Sequence, residues 1–221
     1  KIYINLIHCN LFNTDSRNMK SKTLITGSQG FIGKILVNEF RNSNKLILVD
    51  KKKNLSKQKN FYRINLLNLN YTEELFKKNK ITTIIHLASE IFDDDKNVYN
   101  YNVITSKNLI LMGEKYRVKN FIFTSTFSIY EKNYIKPISE NEIPSAKNLY
   151  GKSKFKVEKM IKKSDLKRYI ILRVPIVVGK SRSHRMGILF EMIRNNFPLF
   201  LIGNGNNKIQ FIQVDDLCLI I

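Results

Sequence analysis

The sequence contains few cysteines and no long apolar run, and each shortage excludes a class of protein. Cys9 and Cys218 lie near opposite ends of the 221-residue chain, outside any CxxC or Cys/His spacing. Neither a disulfide scaffold nor a zinc site is therefore expected, and a reducing cytoplasm fits. No apolar segment approaches the roughly 18 residues that a membrane-spanning helix needs, so no membrane partner is expected.

Arginine is also scarce in a strongly basic chain. The 38 basic residues comprise 29 Lys and 9 Arg against 18 acidic residues, for a net charge of +20. A basic surface attracts anions, including nucleic acid. However, proteins that read bases and phosphates rely on the forked guanidinium of arginine. Here the lysines are scattered among 26 Asn, which indicates a coding bias, and no nucleic-acid partner is expected.

Residues 1–18 do not continue the pattern found downstream. They lack an initiating Met, a basic region before a clean apolar core and a small-residue cleavage site, so they make a poor signal peptide. Met19 stands just before the first convincing strand. Our hypothesis is that residues 1–18 are a non-native tail and that residues 19–221 form the domain.

From residue 22 onward, short apolar segments alternate with segments of helical periodicity. Strands are predicted at 22–26, 45–50, 61–66, 82–89, 120–126 and 168–175, and helices at 31–42, 71–79, 96–116, 149–164 and 186–196. Short strands joined through helices make right-handed crossovers and a parallel sheet. We predict an α/β fold, a Rossmann-type doubly wound parallel sheet with helices on both faces.

The first strand runs into the segment TGSQGFIG, whose glycines are Gly27, Gly30 and Gly33. In such a turn the first glycine permits the tight bend, the second lets the backbone approach a pyrophosphate, and the third lets helix and strand pack closely. A glycine-rich turn without a ligand is the alternative. Because strand, turn and helix follow in order, the pattern favours dinucleotide binding.

Asp50 ends the second predicted strand, 17 residues after Gly33. A carboxylate at this place accepts hydrogen bonds from the adenosine ribose hydroxyls and repels a 2′-phosphate, which favours NAD over NADP. Two observations weaken this preference. The run Lys51–Lys53 can neutralise a phosphate, and a lone Asp at a strand end is usually a turn residue.

Taken in order, these motifs resemble those of the extended short-chain dehydrogenase/reductases, in the nucleotide-sugar epimerase/dehydratase family. TGSQGFIG matches the family's TGxxGxxG turn, and YGKSK at 150–154 its YxxxK. The other similar segments are HLAS at 86–89, FIFTSTFSIY at 121–130, LRVPIVVG at 172–179 and GNGNNKIQFIQVDDL at 203–217. The similarity covers roughly residues 22–220.

The resemblance implies which residues contact cofactor and substrate. The cofactor-binding residues are expected to be Gly27, Gly30, Phe31, Ile32, Gly33, Asp50, Asn65, Leu66, Leu87, Ala88, Ser89, Asn102, Ser125, Tyr150, Lys154 and Val174. The substrate-binding residues are expected to be Thr126, Ser128 and Arg185. The implied cofactor is NAD, the implied substrate a nucleotide-linked sugar, and a homodimer is the assembly that fits. No metal ligand is implied.

Tyr150 and Lys154 share one helix face, a spacing that by itself also fits the solvated face of a lysine-rich helix. The resemblance implies that both are catalytic, together with Thr126. A free tyrosine has a pKa of about 10, and a cation within about 4–6 Å lowers an acid's pKa by roughly 1–3 units. Lys154 and an oxidised nicotinamide provide such cations, so Tyr150 is expected to act as a base while Thr126 holds the substrate hydroxyl.

Departures from the family pattern narrow the expected reaction. Phe127 and Ser128 stand where the family's 4,6-dehydratases carry an Asp-Glu pair, so dehydration is discounted. Ile176 replaces a substrate-binding Asn, and SRSHR at 181–185 faces either a substrate diphosphate or solvent. The family continues into a C-terminal substrate lobe that is expected to be largely missing here. The chain is then a fragment, or a short relative whose pocket a partner subunit completes.

The function predicted from these residues is that of an NAD-dependent nucleotide-sugar epimerase. The reaction would proceed by transient oxidation to a ketosugar, rotation of the intermediate and hydride return. A net ketoreductase or dehydrogenase on the same scaffold, and a non-catalytic dinucleotide-binding protein, are the alternatives. They differ in whether cofactor is consumed and in whether Tyr150 is needed.

Overall fold

The computed structural model describes residues 21–40, 43, 45–54, 58–91, 96–130, 138–139, 141–179, 185–198, 204 and 209–221. The predicted tail at 1–18 and residues 181–184 of the SRSHR segment lie outside these residues.

Strands and helices alternate along the described chain. The strands are β1 (Lys22–Thr26), β2 (Leu46–Asp50), β3 (Phe61–Arg63), β4 (Ile81–His86), β5 (Asn120–Thr126), β6 (Tyr169–Val174), β7 (Ile176–Val178) and β8 (Phe211–Gln213). The helices are α1 (Phe31–Glu39), α2 (Leu69–Lys78), α3 (Lys96–Lys115), α4 (Leu149–Lys162), α5 (Arg185–Arg194) and α6 (Val214–Ile220), with a 3-10 turn at Phe127–Ile129. The elements predicted between residues 22 and 196 are confirmed, with shifted ends.

The first six strands form one parallel sheet in the order β3-β2-β1-β4-β5-β6. This is the strand order of the doubly wound dinucleotide-binding fold, in which the order reverses between β1 and β4. The predicted fold class is therefore confirmed. β7 and β8 form a separate two-stranded parallel sheet, which the sequence had not indicated.

Two apolar cores cover the two faces of the sheet. Neighbouring residues of β1 point to opposite sides, so that Leu24 belongs to one core and Ile25 to the other. The core around Leu24 is completed by α2, α3 and α4, and the core around Ile25 by α1 and α6. Because both faces are covered, the strands read as continuous apolar runs.

Local hydrogen bonds set the start of α4, the helix that carries the YGKSK motif. The side chain of Asn148 accepts a hydrogen bond from the backbone amide of Gly151 at 2.6 Å. An N-cap of this kind satisfies one of the amides that a helix start leaves without an intrahelical partner. Tyr150 therefore lies in the first, capped turn of α4, directly beside the end of β5.

Candidate active-site cleft

A cleft of about 550 Å³ lies along the carboxyl ends of the parallel strands. Its walls come from the turn after β1, the ends of β2, β4, β5 and β6, and the start of α4. In open α/β sheets, ligands bind in the crevice outside the carboxyl ends of the strands, where the strand order reverses. The cleft occupies that place.

Most of the residues predicted to bind cofactor or substrate line this cleft. They are Gly27, Gly30, Phe31, Ile32, Gly33, Asp50, Leu66, Leu87, Ala88, Ser89, Ser125, Thr126, Ser128, Tyr150, Lys154 and Val174. Arg185 begins α5, but its side chain lies outside the part of the chain that the structure describes. Asn65 and Asn102 make other contacts, given below.

Two glycines of the first turn are required by the geometry. Gly27 has φ 71°, and a Cβ at this position would lie 2.7 Å from the backbone nitrogen of Ala88 at the end of β4. A Cβ at Gly33 would lie 2.2 Å from the carbonyl oxygen of Gly27. Glycine tolerates both the left-handed conformation and the close approach, so α1 starts directly above the cleft.

The carboxylate of Asp50 is held in a fixed orientation at the end of β2. Its Oδ2 accepts a hydrogen bond from the backbone amide of Gln29 at 2.9 Å, and its Oδ1 one from the amide of Lys52 at 2.9 Å. An ionised carboxylate has about four lone-pair positions, so about two remain for other donors. Asp50 is thus both a turn residue and a cleft residue with unused acceptor capacity.

The side chain of Asn102 makes hydrogen bonds to the segment after β4 that forms part of the cleft wall. Its Oδ1 accepts from the backbone amide of Glu90 at 2.9 Å and from Ser89 Oγ at 3.2 Å. Its Nδ2 donates to the carbonyl oxygen of Glu90 and to Ser153 Oγ, both at 3.0 Å. The four hydrogen bonds use the capacity of the amide and tie the segment after β4 to α4.

Asn65 acts locally, because its Oδ1 accepts from the backbone amide of Leu67 at 3.2 Å in the turn before α2.

Lys154 borders the cleft and is almost fully buried, with 3% of its surface exposed. Its Nζ donates a hydrogen bond to the carbonyl oxygen of Thr124 at 2.9 Å and lies 5.8 Å from the centre of the Tyr150 ring. Burial lowers the pKa of Lys154 to about 7. A negative charge that develops on a neighbouring oxygen would therefore favour the ammonium form, and the ammonium would favour that charge in turn.

Thr126 ends β5 beside the first turn of α4. Its Oγ1 accepts from the backbone amide of Ser128 at 3.1 Å and donates to Ser128 Oγ at 3.2 Å. The 3-10 turn that follows Thr126 packs closely on α4, where a Cβ on Gly151 would lie 2.3 Å from the carbonyl oxygen of Ser128. This contact brings Thr126 and Tyr150 to one edge of the sheet, where both border the cleft.

A buried ion pair below the cleft was not among the features predicted from the sequence. Glu158 is fully buried, accepts a hydrogen bond from Ser125 Oγ at 2.5 Å, and pairs with Arg173 Nη2 at 2.8 Å. The hydrogen bond to Glu158 raises the pKa of Arg173. Because Glu158 follows Lys154 by one helical turn, its place on the same face of α4 was a signal available in the sequence.

His86 at the end of β4 is also fully buried. Its two ring nitrogens lie 2.8 Å from Thr26 Oγ1 and 2.9 Å from Ser106 Oγ. Burial lowers its pKa to about 3, so the ring is neutral near pH 7 and serves to hold β1, β4 and α3 together.

Glu90 and Tyr101 were missed as well, although both border the cleft at the end of β2. Within the described chain, no group of three or more His, Cys, Asp and Glu side chains is placed to hold a metal ion. No described helix is long and apolar enough to cross a membrane.

A parallel sheet in this strand order, with a glycine turn, a strand-end carboxylate and a Tyr–Lys helix pair around one cleft, is the arrangement of the doubly wound dinucleotide-binding fold. The model of the NAD dependent epimerase/dehydratase family matches residues 23–221. The chain belongs to this family.

Individual relatives agree with the family assignment. Over 158 residues the chain is 33% identical to UDP-glucose 4-epimerase of Pasteurella multocida, covering 63% of this chain and 47% of the relative. It is 28% identical to dTDP-D-glucose 4,6-dehydratase of Dictyostelium discoideum, covering 89% of this chain and 53% of the relative. The chain thus spans about half the length of these curated relatives.

Solved structures show the same fold. The structure of UDP-glucose 4-epimerase from Thermotoga maritima with UDP-glucose matches with a TM-score of 0.78 and 25% identity, over 90% of this chain and 71% of that one.

Proposed function

We propose that the protein is an NAD-dependent nucleotide-sugar epimerase that oxidises its substrate transiently to a ketosugar and returns the hydride to the other face. The observation that carries this proposal is the convergence of Tyr150, Lys154 and Thr126 on the cleft that also contains the glycine turn. The family and the named relatives, which include several UDP-glucose 4-epimerases, support it.

The residues present fit a dinucleotide. The close approaches at Gly27 and Gly33 pack the turn against the segment after β4 and let α1 begin at the cleft, where its first amides can meet a pyrophosphate. Asp50 retains acceptor capacity for ribose hydroxyls, and this favours NAD over NADP. Bound NAD supplies the hydride acceptor for the oxidation and, once reduced, the hydride that is returned.

The protein's own groups handle the proton of the reacting hydroxyl. Thr126 holds this hydroxyl by a hydrogen bond, and Tyr150 removes its proton as the hydride leaves. Lys154, whose pKa of about 7 makes its charge responsive to nearby anions, stabilises the Tyr150 phenolate. In the second half of the reaction Tyr150 returns the proton, so the enzyme regains its starting state.

The side chains next to Thr126 favour epimerisation over dehydration. Among the described residues that border the cleft, the carboxylates are Asp50 and Glu90, and both lie at its other end, beside β2 and after β4. Phe127 and Ser128 follow Thr126, and neither has an acid or base suited to removing water from a sugar. The match to a named dehydratase is consistent with this proposal, since epimerases and dehydratases share one family.

A net reductase is the second candidate, and one relative favours it. The chain is 30% identical to dTDP-4-dehydro-6-deoxyglucose reductase of Escherichia coli, covering 90% of this chain and 70% of the relative. The same tyrosine would then donate a proton to a sugar ketone while NADH is consumed. The two functions differ in whether the cofactor is used up.

The test is to incubate the protein with NAD and a panel of UDP-, dTDP- and GDP-linked sugars and to analyse the products. An epimerase forms product without a net change in NADH absorbance, whereas a reductase supplied with NAD runs in the oxidative direction and accumulates NADH in proportion to the ketosugar formed. Tyr150→Phe should lower turnover by about 10²–10⁴-fold, the usual contribution of a general base, while NADH titration still saturates. A failure of the protein to bind any dinucleotide would refute the proposal. Dinucleotide binding with no turnover of any sugar would favour a non-catalytic role.

The predicted homodimer and the predicted cytoplasmic location both stay predictions.

A further inference from the structure

One cluster at the β2 end of the cleft has no part in the proposed proton transfer. Lys51 directly follows Asp50 and forms an ion pair with Glu90, which lies just beyond β4. The ammonium of Lys51 also lies 4.7 Å from the centre of the Tyr101 ring. All four residues border the cleft.

The backbone under this cluster is held in place on both sides. The side chain of Asn102 accepts a hydrogen bond from the backbone amide of Glu90 at 2.9 Å and donates one to its carbonyl oxygen at 3.0 Å. Across the cleft, the carbonyl oxygen of Lys51 accepts a hydrogen bond from Arg63 Nε at 3.1 Å. An exposed ion pair by itself contributes little to stability. The fixed backbone and the contact with the Tyr101 ring therefore help to hold the Lys51 ammonium beside Glu90.

The charges around Asp50 decide whether a phosphate can lie there. The carboxylates of Asp50 and Glu90 balance the ammonium groups of Lys51 and Lys52, which leaves this end of the cleft formally neutral. A phosphate monoester carries a charge of about −1.5 to −2 at pH 7. Next to Asp50 it would need positive charge in excess of the carboxylates. Lys51, the nearest cation in sequence, is paired with Glu90, which leaves Lys52 to balance Asp50.

We propose that Glu90 is a specificity-determining residue, which selects NAD over NADP by pairing with Lys51 and so withholding one of the two lysine cations beside Asp50 that could neutralise a 2′-phosphate. The proposal rests on the proposed dinucleotide-binding function. In this arrangement Asp50 receives the ribose hydroxyls, and Glu90 sets the charge that a phosphorylated ribose would meet.

The experiment titrates the full chain with NADH and with NADPH, following nicotinamide fluorescence, and compares the ratio of the two dissociation constants. Glu90→Gln keeps the size of the side chain and releases Lys51. We expect the ratio of the NADPH to the NADH constant to fall by about 2- to 5-fold, the range that an ion pair at an exposed site contributes to a dissociation constant. The double variant Glu90→Gln/Lys51→Met should lose this gain.

Glu74→Gln is the matched control. Glu74 lies on α2, is 48% exposed and pairs with Lys77 and Lys78, outside the residues that border the cleft. Glu74→Gln removes the same charge from the whole protein. An unchanged ratio of the NADPH to the NADH constant in this variant therefore assigns the effect to the position of Glu90.

An unchanged ratio in Glu90→Gln would overturn the proposal while leaving dinucleotide binding intact. An equal fall in the double variant would also overturn it, because Lys51 would then not be the cation involved. If the wild-type protein binds neither NADH nor NADPH, the proposed function fails, and this inference fails with it.

Discussion

Replacing Gly151 with alanine should misplace Tyr150, the proposed catalytic base, while leaving its helix intact. Gly151 follows Tyr150 in the first turn of α4 and faces the 3-10 turn after Thr126. An alanine Cβ would lie 2.3 Å from the carbonyl oxygen of Ser128 and 3.0 Å from its carbonyl carbon. Both contacts are with backbone, so no side-chain rotation can relieve them.

The size of the effect follows from these distances. A carbon–oxygen contact normally lies at about 3.3–3.6 Å, so α4 and the 3-10 turn must separate by about 1 Å. A misplacement of about 1 Å can cost about 100-fold in rate, which corresponds to about 2.7 kcal/mol in the activation barrier. We therefore expect the kcat of Gly151→Ala to fall by about 100-fold.

The assay measures kcat with the converted sugar nucleotide and the dissociation constant for NADH. The NADH constant should change far less than kcat, because the glycine turn after β1 is untouched. Gly113→Ala is the control: Gly113 lies on α3, and its Cβ would meet Leu166 Cδ2 at 2.7 Å, the end of a flexible side chain between α4 and β6. Both variants gain the helix propensity of alanine, about 1 kcal/mol.

Wild-type turnover in Gly151→Ala would refute the reasoning, because the backbone contact at Ser128 would then not set the spacing of Tyr150 and Thr126. A loss of turnover in Gly113→Ala as large as that in Gly151→Ala would do the same, since the effect would then be a general one of helix packing.

Two further predictions concern the buried charges. The pKa of Lys154 is about 7 in the folded protein against an ordinary 10.5, so the unfolded chain binds more protons between these values and stability rises with pH across that window. In the wild-type protein the free energy of unfolding should rise by about 2–3 kcal/mol between pH 7 and pH 9, and Lys154→Met should abolish this rise. Urea unfolding without cofactor measures both proteins. An equal rise in the two would contradict the prediction. Glu158→Gln removes the carboxylate that neutralises Arg173 and should cost about 3–5 kcal/mol, towards the lower end because 15% of the Arg173 side chain is exposed. Thermal unfolding measures this cost, and a variant as stable as the wild type would show that the pair is unimportant for folding.

The sequence predicted those features that depend on neighbours along the chain. Alternating apolar segments reveal strands and helices, because side-chain periodicity is a local property. The glycine turn was predictable because Gly27 and Gly33 lie within one short segment. The Tyr150–Lys154 pair was visible as well, since residues four apart lie on one helix face.

The tertiary structure decided which side chains are buried and which distant residues meet. Lys51 and Glu90 are 39 residues apart in sequence, and Glu158 meets Ser125 from 33 residues away. The pKa of Lys154 is lowered by burial, which the packing of α4 on β5 creates and which its lysine-rich surroundings in the sequence conceal. The side chain of Asn102 is committed to protein partners for the same reason. Local spacing thus specified the elements and their motifs, whereas desolvation and charge pairing depend on contacts that exist only once the sheet has formed.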